Sequence, residues 1–132
     1  MDKTYANVHD SEILSYLVDI QNKNLQLFTE RGDKEAATIT FNGCIGHRFE
    51  NVTYCNIINT ITARQIDEFV AANTSLLKDG LRYAFPAALR SCEALGIYLK
   101  EKSLCVFEID SVLGLSGFVF AEDIVIEVGR LT

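Results

Sequence analysis

The chain has 132 residues, 48% hydrophobic and 23% charged, and eighteen acidic against twelve basic side chains give a net charge of −6. That length suits one domain spanning residues 1–132, and the apolar fraction excludes a disordered chain. The negative field and the scattered Lys and Arg residues argue against nucleic acid as a partner.

Met1-Asp2-Lys3 leads into polar residues, so no secretory leader is expected. No apolar run reaches the roughly 18 residues of a membrane span, and a cytoplasmic protein is expected. Cys44, Cys55, Cys92 and Cys105 are widely spaced among apolar neighbours, the pattern of small buried hydrophobes in a reducing compartment.

In chain order, Ile13, Leu14, Tyr16, Leu17, Val18 and Ile20 form a dense apolar run, which predicts a strand covered on much of both faces. Gln21-Asn22-Lys23-Asn24 is a turn, and Leu25, Leu27 and Thr29 alternate in the returning strand. After a turn at Arg31-Gly32-Asp33-Lys34, the β-branched run Thr38-Ile39-Thr40-Phe41 completes a meander. Residues 44–51 continue the sheet after a bend at Gly43 and Gly46, and residues 57–61 are a further short strand.

From Thr62 the period changes, with Ile66, Phe69, Val70 and Leu77 on one helical face, Thr62 as N-cap and Gly80 as the stop. Pro86 suits the first turn of a second helix, whose apolar stripe is Leu89, Cys92, Leu95 and Leu99. Strands return at residues 104–109, 118–121 and 124–128, with a turn at Gly114-Leu115-Ser116-Gly117. The order predicts an α+β fold: a largely antiparallel β-sheet, made of an N-terminal meander plus C-terminal strands, with two helices between residues 62 and 100 packed on one side.

His9-Asp10-Ser11 with Ile13, Ile39-Thr40-Phe41-Asn42-Gly43, and the stretch from Ser111 to Ala121 carry a resemblance. The chain resembles a group of small, mostly uncharacterised bacterial proteins that begin with a His-Asp-Ser strand. Some of these are similar to the immunity proteins that accompany bacterial toxins. The resemblance implies binding of a toxin and brings no catalytic residue.

Residue chemistry alone declares no catalytic set, no cofactor site and no metal site. His9-Asp10 has the composition of an acid-base pair, but neighbours on a strand point to opposite faces, and a turn-capping role is the simpler reading. Cys44-Ile45-Gly46-His47 has C-x-x-H spacing with Cys55 nearby, yet zinc needs a fourth ligand that the spacing does not supply. Gly114-Leu115-Ser116-Gly117 lacks the Lys of a phosphate loop and precedes a strand. Carboxylates concentrate at Glu108, Asp110, Glu122, Asp123 and Glu127, either as a solvated face or as a platform for a basic partner. Tyr5, Tyr16, Tyr54, Tyr83 and Tyr98 are candidate aromatic anchors or core residues.

Three functions follow as expectations. The first is a non-enzymatic protein-binding module, an immunity protein that neutralises a cognate toxin through an acidic surface. The second is a small enzyme or metal protein using His9, Asp10, Cys44 and His47. The third is a homo-oligomeric structural protein.

Overall fold

Alternating apolar residues, tight turns and an α-helical apolar period produce an α+β fold in a computed structural model that describes residues 2–129. The strands are β1 (Lys3–Tyr5), β2 (Glu12–Asp19), β3 (Asn24–Glu30), β4 (Ala36–Asn42), β5 (Gly46–Glu50), β6 (Ile57–Arg64), β7 (Cys105–Leu113), β8 (Ser116–Ala121) and β9 (Asp123–Val128). The helices α1 (Ile66–Ala72), α2 (Thr74–Leu81) and α3 (Cys92–Glu101) lie between β6 and β7. All strand pairings among the described residues are antiparallel, in the order β5-β8-β7-β6-β2-β3-β4-β9, with β1 also on β6.

The sheet folds over on itself. One half is the expected meander β2-β3-β4 extended by β9, and the other is β6-β7-β8 with β1 and β5. Leu25, Leu27, Ile39 and Phe41 of the first half meet Ile61, Phe107, Ile109 and Val119 of the second in one buried core. Phe41 and Phe107 touch across it at a centroid distance of 5.5 Å. Removing such a side chain from water contributes about 1.5–3 kcal/mol, so this inner layer carries much of the stability.

Two sharp bends link the halves. Between β4 and β5 the chain turns at Gly43, whose φ is 64°, and between β8 and β9 it turns at Glu122. The bends are held by bonds from Glu122 N–H to the Asn42 carbonyl at 2.8 Å and from Ile45 N–H to the Phe120 carbonyl at 2.9 Å. β9 therefore pairs with β4, far away in sequence, rather than with its neighbour β8.

The opposite face of β7 and β8 carries a second core. Val106, Phe118 and Phe120 pack there against Phe69, Leu77, Leu95 and Leu99 from the three helices. The helices thus sit on one side of the sheet, as expected, but there are three of them. Thr62 is no N-cap; it lies inside β6, paired with Glu108. The cap is Gln65, whose side chain accepts the Glu68 N–H at 2.7 Å, and Asp67 and Glu68 place negative charge at the positive end of the helix. The helix expected to run on to Gly80 breaks where Asn73 donates to the Phe69 carbonyl and the Thr74 hydroxyl to that of Val70, and Gly80 lies inside α2. Pro86 lies outside any helix, and α3 begins later, with the Ser91 hydroxyl accepting the Ala94 N–H at 3.1 Å. Phe85, just before Pro86, packs on Phe118 and Phe120.

No helix among the described residues is long and apolar enough to cross a membrane.

Candidate protein-binding surface

β2 departs most from its sequence reading. Its apolar run predicts burial on both faces, yet Ile13 alone among its apolar residues is fully buried and Val18 partly so. Leu14 is 59% and Leu17 55% exposed, Tyr16 is exposed, and Ile20 beyond the strand end is 85% exposed. The cause is topological. β1 and the first residues of β2 run along β6, but β6 begins at Ile57, opposite Glu12, and β2 continues past it. Beyond the Ile13 N–H bond to the Asn56 carbonyl at 2.8 Å, that edge has no strand partner among the described residues.

The strand facing this free edge is β5, itself paired only with β8. The Cα atoms of β2 and β5 stand for the most part more than 8 Å apart, so no ladder forms between them. One side-chain contact spans the gap instead: Tyr16 meets Phe49 edge-on at 5.5 Å, and Phe49 meets His47 of its own strand at 4.9 Å. At one end is a cleft of about 440 Å³ lined by Val18, Ile20, Lys23, Cys44, His47 and Phe85. At the other end, loop 51–56 lies against Ile13, Leu14 and Tyr16.

That loop is fixed rather than loose. Asn56 is buried, and its side-chain oxygen accepts the N–H groups of Thr53 at 3.0 Å and Leu115 at 2.9 Å while its amide donates to the Thr53 carbonyl at 2.7 Å. It thereby ties loop 51–56 to the turn between β7 and β8. Val52 and Tyr54, the latter 96% exposed, project from the loop, and exposed Val112 and Leu113 precede that turn. Leu113 is opposite Ile57, which is opposite Glu12, so these apolar groups adjoin the start of β2. The expected anchors Tyr16, Tyr54 and Tyr83 are exposed, whereas Tyr5 and Tyr98 pack against the two cores.

The five carboxylates named from sequence fall on different surfaces. Strand parity decides this: Phe107 and Ile109 face inward, so Glu108 and Asp110 point out of the β6-β7-β8 half. There they line an open cleft of about 480 Å³ with Glu50, Thr60, Arg64 and Ser116. Its charges are mostly paired, with Arg64 2.7 Å from Glu108 and 3.2 Å from Asp2, Arg48 3.1 Å from Glu50, and Asn59 donating to Asp110 at 2.9 Å. Asp123 and Glu127 stand on the outer face of the meander half, opposite Asn42 and Thr38, and Glu122 occupies the bend between them and β8. Helices do not cover this meander face. It exposes Leu17 and Val125, with Phe28 half-buried and Thr38 and Thr40 buried among them, between Asp19, Glu30, Asp123 and Glu127.

His9 and Asp10 do meet, at 3.4 Å, because the chain there is a turn with Asp10 at φ 64° and not a strand. The other ring nitrogen of His9 lies 3.0 Å from the Asn59 carbonyl, so its anchor is distant in sequence. Cys44 and His47 lie elsewhere, sharing the cleft at the β4–β5 bend, and Cys55 lies beyond the far end of β5. Burial pushes the Cys44 thiol above its ordinary range and holds the His47 imidazole below its own. The Cys105 thiol is raised by burial and by the nearby Asp123 carboxylate. Among the described residues, no three His, Cys, Asp or Glu side chains assemble as a metal site.

No protein-family model matches the chain, and no curated protein matches it in sequence.

Proposed function

We propose that the chain is a non-enzymatic protein-binding module, and that its partner is a basic toxin domain which it neutralises by direct contact, as a bacterial immunity protein does. The observation that carries the reading is the clustering of exposed apolar groups. Leu14, Tyr16, Leu17 and Ile20 are exposed along β2 and just beyond it, and Val52, Tyr54, Val112 and Leu113 are exposed on the loop and turn that adjoin its start. Exposed apolar area of this kind, rimmed by polar groups, marks interaction surfaces, and an exposed tyrosine such as Tyr54 is of a type favoured as an anchor. The adjoining meander face adds Asp19, Asp123 and Glu127, which favour a basic partner and speed its encounter. The four free cysteines agree with a reducing, cytoplasmic setting.

The test is co-expression with the product of the adjoining gene. The expected result is a stable complex and loss of that product's toxicity, with both effects abolished by Leu17→Asp together with Tyr54→Ala. Toxicity that persists with no complex overturns the reading.

A further inference from the structure

We propose that the gap between β2 and β5 accepts an extended segment of the partner, inserted as a strand that pairs with both edges. The inference rests on the protein-binding reading and specifies how binding occurs. Two unpaired edges face one another here, that of β2 beyond Ile13 and that of β5. They run antiparallel, since Tyr16 lies by Phe49 while Val18 and Ile20 lie by residues 44–47. Inserting one strand between two others requires about 9.5 Å, twice the ordinary strand spacing. Few Cα atoms of the two strands come within 8 Å of each other, so the edges do not pair directly, and the Tyr16–Phe49 contact is what an entering strand displaces.

The occupant is constrained on three counts. Both of its own edges must be free, so a tail or a long loop fits and a strand already held in a folded sheet does not. A second copy of this chain is disfavoured for that reason, because β2 is tied to β3 and β5 to β8 along their lengths. Charge disfavours it too: β2 carries Glu12 and Asp19 with no cation, and each chain has a net charge of −6. Side chains of the inserted strand that face inward would land on Val18, Tyr16, Phe49 and His47, which calls for apolar groups. Those facing outward would lie between Leu17 and Asp19 on one side and the mutually paired Arg48 and Glu50 on the other, so that unneutralised Asp19, with the net charge of −6, favours basic groups. The segment is therefore an extended run of alternating apolar and basic residues, read by backbone pairing with side-chain selection.

The probe is the blocked octapeptide (Lys-Val)4 at millimolar concentration, with amide hydrogen exchange of the full chain as the readout. Exchange at residues 14–19 and 46–50 is expected to slow at least tenfold, and a peptide N-methylated at alternate residues is expected to leave it unchanged. Unchanged exchange at both strands, or slowing at β2 alone, overturns the insertion. Equal protection by (Glu-Val)4 overturns the assignment of a basic segment. If a partner complex forms without protecting either edge, the insertion is wrong while the protein-binding reading stands.

Discussion

Asn56→Ala tests whether a single buried side chain holds the apolar side together. Asn56 makes three bonds, two accepted from Thr53 and Leu115 N–H groups and one donated to the Thr53 carbonyl. A typical hydrogen bond contributes about 1 kcal/mol net, and an N–H left buried without a partner costs about 1–3 kcal/mol. Leu115 is fully buried, so its N–H would be stranded. The expected loss is about 3 kcal/mol, which at this chain length lowers Tm by roughly 10 °C. Urea unfolding with an unchanged m value measures the loss, and amide exchange in loop 51–56 should accelerate alongside it. A loss below about 1 kcal/mol, or unchanged exchange in the loop, would refute the assignment of Asn56 as the tie between loop and turn.

Gly117→Ala should be severe, because Gly117 has φ 152° and an added Cβ would fall onto the Arg48 carbonyl oxygen. We expect a loss above about 2 kcal/mol and increased exchange along β5, by thermal melting and amide exchange. For His47 the folded state resists protonation, so the unfolded chain binds the extra proton first. Stability should be complete above the ordinary imidazole range near 6.5 and fall as pH drops through and below it, and His47→Gln should flatten that fall in urea titrations. The raised Cys44 and Cys105 thiols work at the other end, since the unfolded chain loses its protons first as pH climbs past about 8.5. Alkaline destabilisation should lessen in Cys44→Ala once the spectra at pH 7 are matched. Asp123→Lys with Glu127→Lys should slow association with a basic partner at least tenfold at low salt, by stopped-flow fluorescence, while changing stability by less than about 1 kcal/mol.

Much of the architecture was legible because it is local. The β3 alternation, the turn at residues 21–24 and the β-branched run in β4 each specify strand and register over a few residues. Helix starts were less legible, since Thr62 has an N-cap's chemistry but β7 supplies a better use for its backbone in a ladder. Gln65 caps α1 although Gln is not a favoured cap, so the true boundary left little signal. β1 has three residues and exists through pairing with β6, which no local pattern announces. The β9–β4 pairing depends on the bend at Glu122 and on residues 81 to 91 positions apart, from Asn42 with Asp123 to Ala37 with Val128.

The burial of β2 was misread for a related reason. An apolar run such as that in β2 reports that its side chains favour removal from water, but it does not say by what. Inside this chain β2 gives Ile13 and Val18 to the core, while Leu14 and Leu17 remain outside. An open apolar edge is an aggregation hazard that folded proteins usually blunt with charge or a covering element. Here the Tyr16–Phe49 contact covers part of the gap, and Glu12 and Asp19 put negative charge on the β2 edge. Stability meanwhile resides in the two cores on either face of β7 and β8. That division leaves the β2 edge free to vary, because its exposed residues can change at little cost to the fold.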